Sequence, residues 1–187
     1  MASEIVVVRH GATEWSENGR HTSRTDLPLT EFGRIEAEHV RARLDGREFA
    51  LVLTSPLQRA RDTAAICGLG EQAEVDDLLR EWDYGEYEGV TTAEIRTTIP
   101  GWTVWSGPCP KGETAEEVGA RADRVLARAA AVDGSVAVFS HGHFSRVLMA
   151  RWLDLPAAGG RLFALRTGTL NVLGYEREQR VLQMLNG

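Results

Sequence analysis

The hydrophobic pattern of the chain starts with a short aliphatic run near its N-terminus. Ile5 to Val8 are four consecutive β-branched residues, which predicts a strand buried on both faces, as parallel strands are when helices cover a sheet. Arg9 and His10 follow at the carboxyl end of this strand, and Gly11 allows the backbone to turn. Because ligands of open α/β sheets bind at the carboxyl ends of the strands, we expect an anion site here.

Apolar runs alternate with amphipathic segments along the rest of the chain. Thr30 and a capping box at Thr114 mark the starts of two helices. Four apolar residues predict the inner face of the first of these helices: Ile35, Ala37, Val40 and Leu44. The predicted strands are 4–8, 49–54, 73–79, 135–140, 170–175 and 181–185, and the predicted helices are 30–46, 57–67, 92–98, 114–132 and 144–153. The last two strands are separated by a short polar turn and predict an antiparallel hairpin.

This order of elements predicts the α/β class. Alternating strands and helices favour a three-layer α/β/α sandwich, with a mostly parallel central sheet, helices on both faces and right-handed crossovers. The 187 residues are enough for one core, and no segment has the composition of a linker. We therefore predict a single domain over residues 1–187.

Two polar segments lack both the helical and the strand period. Residues 12–29 predict a long loop that forms a wall of the site, although a solvated charged loop is the plainer alternative. Residues 80–89 combine three aromatic residues with four carboxylates, which predicts an ordered loop.

Charge and composition exclude several classes of protein. The formal net charge of −6 argues against nucleic-acid binding, which usually requires a basic surface. No apolar run approaches the length of a membrane span, and the N-terminus does not resemble a signal peptide. Cys67 and Cys109 lack the spacing of a metal site. We expect a soluble cytoplasmic protein with reduced thiols, bound to neither nucleic acid nor membrane.

Cationic side chains follow three of the predicted strands. Arg9 and His10 end the first, Arg59 lies just after the second, and His141 ends the fourth. If these strands are neighbours, two imidazoles and two guanidiniums meet at one edge, an arrangement suited to a phosphate dianion. Taken singly, each of these residues has a plainer structural explanation. His141 and His143 could also form part of a metal site, but no further ligands are evident.

Six short blocks, taken together, identify a family. The chain resembles the histidine phosphatase superfamily, in its phosphoglycerate-mutase-like branch, and within it a phosphatase subgroup that includes fungal sugar bisphosphatases and actinobacterial acid phosphatases. The blocks that carry the resemblance are Arg9-His10-Gly11, Leu29 to Gly33, Ser55 to Ala60 with Thr63-Ala64, Leu79-Arg80-Glu81 with Gly85 and Glu88-Gly89, Gly112-Glu113-Thr114, and Ser140 to His143.

The resemblance implies a catalytic role for five residues. His10 matches the nucleophile that forms a phosphohistidine, and Glu81 matches the group that protonates the leaving oxygen and later deprotonates water. Three further residues match the phosphate pocket: Arg9, Arg59 and His141. Asp83, Glu86 and Glu88 are rivals of Glu81 for the acid role. No metal and no cofactor are implied.

The resemblance also implies a reaction and a substrate class. Mutases of the family carry extra segments that exclude water, and because this chain ends just after the hairpin we expect hydrolysis of small phosphorylated metabolites, with sugar phosphates and bisphosphates as candidates. The alternatives are a phosphoglycerate mutase and a module that binds phospholigands or proteins without catalysis. The exposed hairpin edge suggests a homodimer. The candidate substrate-binding residues are Ser16, Thr22, Ser23, Arg24, Lys111 and Gly142.

Overall fold

A computed structural model describes residues 2–44 and 46–187. It contains six strands and six α-helices within these ranges. The strands are β1 (Ala2–Arg9), β2 (Leu51–Thr54), β3 (Ala73–Val75), β4 (Gly134–Ser140), β5 (Thr169–Glu176) and β6 (Gln179–Met184). The helices are α1 (Glu14–Asn18), α2 (Glu31–Leu44), α3 (Gln58–Ile66), α4 (Thr92–Thr98), α5 (Ala115–Ala130) and α6 (Gly142–Trp152).

The strands form one sheet in the order β3-β2-β4-β1-β5-β6. The pairs β1–β4, β4–β2 and β2–β3 are parallel, whereas β5 runs antiparallel to both β1 and β6. The predicted mostly parallel sheet and the closing hairpin are therefore confirmed. β6 forms one edge of the sheet, and a homodimer through that edge stays a prediction.

Helices cover both faces of the sheet and bury two separate apolar clusters. Ile5 and Val7 of β1 point into a cluster that includes side chains of α5 and α6. Val6 and Val8 point to the other face, where Val40 of α2 contributes to the second cluster. These four residues of β1 are at most 1% exposed, which confirms the prediction of a strand buried on both faces inside a three-layer sandwich.

Three local predictions differ from the structure. The loop 12–29 contains α1, which Thr13 caps through its side chain; five residues are too few to show a helical period. β3 ends at Val75, and a 3-10 turn follows over Asp77–Leu79. Ile35 is 48% exposed because it lies about 200° around α2 from Ala37, which faces the sheet.

Two glycines fix the turn that follows β1. A Cβ on Gly11 would lie 2.1 Å from the carbonyl oxygen of Gly33, and a Cβ on Gly33 would lie 2.2 Å from that of Ala12. The Thr30 N–H also donates to the Ala12 carbonyl at 2.9 Å. The end of β1 is thus packed backbone to backbone against the start of α2, which leaves the His10 segment little freedom to move.

No helix in residues 2–44 or 46–187 is both long enough and apolar enough to cross a membrane.

Candidate active site

The carboxyl ends of three adjacent strands bring four cationic groups together. Arg9 ends β1 and pairs in register with Ser140, directly before His141. Arg59 lies in the first turn of α3, after β2. The ring centroids of His10 and His141 are 5.1 Å apart, and Nε of Arg59 donates to Nδ1 of His141 at 3.2 Å. The side chains expected to meet at this edge are therefore in contact.

His10 is held in one tautomer. Its Nδ1 lies 2.7 Å from the carbonyl oxygen of Gly11, and because a carbonyl only accepts hydrogen bonds, the proton is on Nδ1. Burial, followed by the nearby charges of Arg59 and Arg9, holds the pKa of His10 well below its usual value. Nε2 therefore carries an unprotonated lone pair, which is what attack on phosphorus requires.

Arg59 and His141 lie directly behind His10 and are fully buried. Nδ1 of His141 accepts from Arg59, so its Nε2 carries the proton and donates to Oγ of Ser55 at 2.7 Å. The other Arg59 donors bind backbone carbonyls of the loop after α1, those of Thr22, Ser23 and Thr25. These two side chains thus supply positive charge and rigidity to the back of the site.

Arg9 lines the cavity beside His10, and one of its donors is unpaired. Its Nη1 donates to the carbonyl of Leu165, but its Nε is buried without a hydrogen-bond partner. A Cβ on Gly142 would lie 3.3 Å from the guanidinium carbon, so the glycine leaves room for this side chain. An orphaned buried donor costs about 1–3 kcal/mol.

The side chain of Glu81 binds backbone N–H groups at the N-terminus of α6. Its carboxylate accepts hydrogen bonds from the backbone N–H groups of Trp82, His143 and Phe144, at 2.9, 3.0 and 2.7 Å. A carboxylate has about four acceptor positions, so one remains for a reacting group. Glu81 also lines the cavity in front of His10.

The three rival carboxylates have other partners. Glu88 accepts from the N–H groups of Ser23 and Thr25, Glu86 pairs with Lys111, and Asp83 pairs with Arg24. None of these three lines the cavity, which leaves Glu81 as the carboxylate of this segment placed next to His10.

A cavity of about 210 Å³ lies in front of His10. Of the six residues expected to bind substrate, Ser16, Thr22 and Gly142 line it, and Ser23, Arg24 and Lys111 do not. The Ser16 hydroxyl already donates to the Thr13 carbonyl at 2.9 Å. Lys111 is 81% exposed and lies 2.7 Å from a Glu86 oxygen. Arg24 and Lys111 are thus paired with neighbouring carboxylates outside the cavity.

The cavity wall also contains residues that were not predicted from the sequence as substrate ligands. Arg146 of α6 is the clearest of these, and Trp15, Thr92 and Leu165 also line the wall. A second cavity of about 190 Å³ adjoins the first and shares His21, Thr92 and His143 with it. The signal that could have revealed Arg146 is its spacing: it follows Gly142 by four residues and therefore lies on the same face of α6.

The alternative of a metal pair at His141 and His143 has no geometric support. His141 is bonded to Arg59 and Ser55, whereas Nδ1 of His143 is joined to the Tyr84 hydroxyl at 2.6 Å. Within the described part of the chain, no three His, Cys, Asp or Glu side chains are grouped as metal ligands would be.

Comparison with known proteins matches nearly the whole chain. Residues 5–187 fit the profile of the histidine phosphatase superfamily (branch 1). An acid phosphatase of Mycobacterium tuberculosis is 44% identical over 185 residues, which cover 97% of this chain and 91% of that protein. A sedoheptulose 1,7-bisphosphatase of Saccharomyces cerevisiae is 34% identical, over 83% of this chain and 69% of the yeast protein.

Solved structures agree with these matches. A protein encoded by a Mycobacterium tuberculosis open reading frame superposes with a TM-score of 0.93 at 42% identity, covering 98% of this chain and 96% of its own. A mycobacterial glucosyl-3-phosphoglycerate phosphatase in complex with VO3 superposes with a TM-score of 0.88 at 28% identity over 99% of both chains. The resemblance seen in the six sequence blocks is confirmed.

Proposed function

Because the chain belongs to the histidine phosphatase superfamily (branch 1), we propose that it is a phosphoric monoester hydrolase that works through a phosphohistidine on His10. The observation that carries this proposal is the state of His10: a neutral ring, with its proton fixed on Nδ1 and with Nε2 available at the cavity. A residue that only bound phosphate would be more useful as a charged imidazolium.

The reaction follows from the positions of His10 and Glu81. Nε2 of His10 attacks phosphorus in line, the bond between phosphorus and the ester oxygen breaks, and Glu81 donates a proton to the leaving alcohol. Water then attacks the phosphohistidine while Glu81 takes up its proton, which releases inorganic phosphate and restores the neutral ring. Glu81 is suited to this exchange because three N–H groups hold it in place while one acceptor position stays open.

The surrounding cations stabilise the charge that develops during transfer. Arg9 lines the cavity beside His10 and offers its guanidinium charge to an oxygen of the phosphoryl group, and Arg59 and His141 add positive charge and a hydrogen-bonded support behind His10. Fixed donors of this kind need no reorganisation during the reaction, which is why they are effective. These side chains can neutralise phosphate oxygens in the way a metal ion would, and we propose metal-independent chemistry.

The substrate is a small phosphorylated metabolite. The cavity of about 210 Å³ lies below the roughly 300–1,000 Å³ of sites for drug-sized ligands, so a phosphorylated protein or nucleic acid would reach it only through a protruding end. Two of the relatives are named for sugar-derived substrates. Sugar phosphates and bisphosphates are therefore the first compounds to assay.

Rapid-quench labelling tests the proposal. With a ³²P-labelled sugar phosphate, the parent protein should form an acid-labile, alkali-stable phosphoprotein and release phosphate, and His10→Gln should form none. A chelator should leave the rate unchanged. A labelled His10→Gln protein, or interconversion of 2- and 3-phosphoglycerate with little release of phosphate, would contradict hydrolysis through His10.

A further inference from the structure

Arg146 places a guanidinium in the cavity wall in addition to those of Arg9 and Arg20. It lies on α6, one turn beyond the Glu81-capped start of that helix, and lines the same cavity as His10. Among the described residues it forms no ion pair, in contrast to Arg24 and Lys111, which pair with carboxylates outside the cavity. The charge of Arg146 is therefore available to a ligand.

The side chain is held rigidly by two other segments. Its guanidinium carbon lies 4.6 Å from the centroid of the Trp105 ring, and its Nε donates to the Gly160 carbonyl at 3.0 Å. Nη2 donates to the Arg161 carbonyl at 3.4 Å. A Cβ on Gly160 would lie 2.6 Å from Trp105, so this close stacking depends on the glycine. Nη1 keeps its donors free, because no acceptor among the described residues binds it.

The local electrostatics also favour an anion at this position. Three guanidiniums, those of Arg9, Arg20 and Arg146, line the cavity together with one carboxylate, that of Glu81, so repulsion between the cations is not fully offset. Arginine does not lose its proton in proteins, so the repulsion cannot be relieved by titration. An anionic group bound between the cations would relieve it and would occupy the free donors of Nη1.

We propose that Arg146 binds a second anionic group, a phosphate or a carboxylate, on the alcohol portion of the substrate. This inference rests on the proposed phosphatase function and narrows its substrate class to small metabolites with two anionic groups. The transferred phosphoryl group lies against His10 and Arg9, and the second group lies against Nη1 of Arg146. Since both arginines line one small cavity, the two groups must be joined by a short carbon skeleton.

The test compares two substrates that carry a second anion, a phosphate or a carboxylate, with one that carries none. For the parent, Arg146→Gln and Arg146→Lys, kcat/KM is measured with a sugar bisphosphate, the matching sugar monophosphate and 3-phosphoglycerate. In Arg146→Gln the preference for the bisphosphate over the monophosphate should fall about 10- to 100-fold, the effect of one lost charge-assisted hydrogen bond. The loss should lie mainly in KM, and Arg146→Lys should recover part of it. If the preference for 3-phosphoglycerate falls instead, the second group is a carboxylate.

Arg161→Gln is the matched control, because it removes the same charge from an exposed side chain of the neighbouring segment. It should leave the substrate preference unchanged. An equal loss of kcat/KM on all three substrates in Arg146→Gln would overturn the inference but not the hydrolase. Absence of a phosphohistidine in the parent would overturn the hydrolase itself. If Arg146→Gln fails to fold, the inference is tested on the parent protein by raising the salt concentration. The KM for the bisphosphate should then rise more steeply than the KM for the monophosphate, and equal rises would refute the inference.

Discussion

Replacing Glu81 by glutamine should separate its structural role from its chemical one. The carboxylate accepts three backbone N–H groups, two at the start of α6 and that of Trp82, whereas the single carbonyl oxygen of glutamine can accept two at most. One buried N–H then loses its partner, and the helix loses a negative charge at its N-terminus. Together these losses amount to about 1.5–4 kcal/mol. For a chain of this length, the Tm of Glu81→Gln should fall by about 3–16 °C.

The same variant should lose activity in a way that depends on the leaving group. A sugar alkoxide needs a proton as it departs, whereas p-nitrophenolate is stable without one. Loss of a general acid costs about 10²- to 10⁴-fold, so hydrolysis of the sugar phosphate should fall by that factor. The burst of p-nitrophenol from p-nitrophenyl phosphate, which reports the first transfer, should fall far less. Stopped-flow measurement of the burst and steady-state phosphate release give the two values.

Glu117→Gln provides the control for this experiment. Glu117 accepts the Thr114 N–H in the capping box of α5, where glutamine serves as well as glutamate. The change should shift Tm by less than about 2 °C and leave both activities intact. Equal losses on the two substrates in Glu81→Gln, or parental hydrolysis of the sugar phosphate, would refute the assignment of Glu81 as the proton donor.

Three further predictions follow from the geometry of the site. Burial lowers the pKa of His10, His141 and His143. Below about pH 6.5 the unfolded chain therefore binds more protons than the folded protein. The free energy of unfolding should fall on acidification by up to about 1.4 kcal/mol per pH unit for each histidine. A Tm that is unchanged or higher at pH 5.5 than at pH 7.5 would contradict this. Gly11→Ala places a methyl group against the Gly33 carbonyl and should lower the free energy of unfolding, measured with urea, by at least about 1–3 kcal/mol. Gly19→Ala is the control: its Cβ would meet nothing within 4 Å, so it should show only the smaller cost of a positive φ. Lys111→Ala should leave the preference for bisphosphate over monophosphate at the parental value, since Lys111 pairs with Glu86 outside the cavity; a changed preference in steady-state assays would return Lys111 to the site.

The position of the cationic groups around His10 could be predicted because each follows a local signal in the sequence, and the topology then brings these groups together. Arg9 and His10 end a strongly apolar strand, and His141 ends another. Parallel strands have their carboxyl ends at one edge, so once the strands were placed, the side chains after them were placed as well. The sequence alone left the order of the strands open.

The outer part of the site was harder to predict because it depends on which side chains become neighbours. Arg24 and Lys111 were expected to bind substrate, but Asp83 and Glu86 come within ion-pair distance of them in the folded chain. Arg146 looked like one of many charged helix residues, and only the stacking on Trp105 and the contact with Gly160 distinguish it. The short α1 was missed for a different reason, since its five residues are stabilised by a cap and carry no buried side chain.

Arg59 connects the groups around His10 to one wall of the cavity. Its guanidinium donates to His141 and to three carbonyls of the loop over residues 22–25, while Glu88 accepts the N–H groups of that same loop. The charge that helps to keep His10 neutral therefore also fixes one wall of the cavity. A lysine could supply the charge, but its three donors radiate from a single nitrogen and cannot reach four acceptors arranged around a planar fork. Position 59 therefore requires the planar fork of arginine and not only its charge, and one side chain holds the cavity wall and His10 in register.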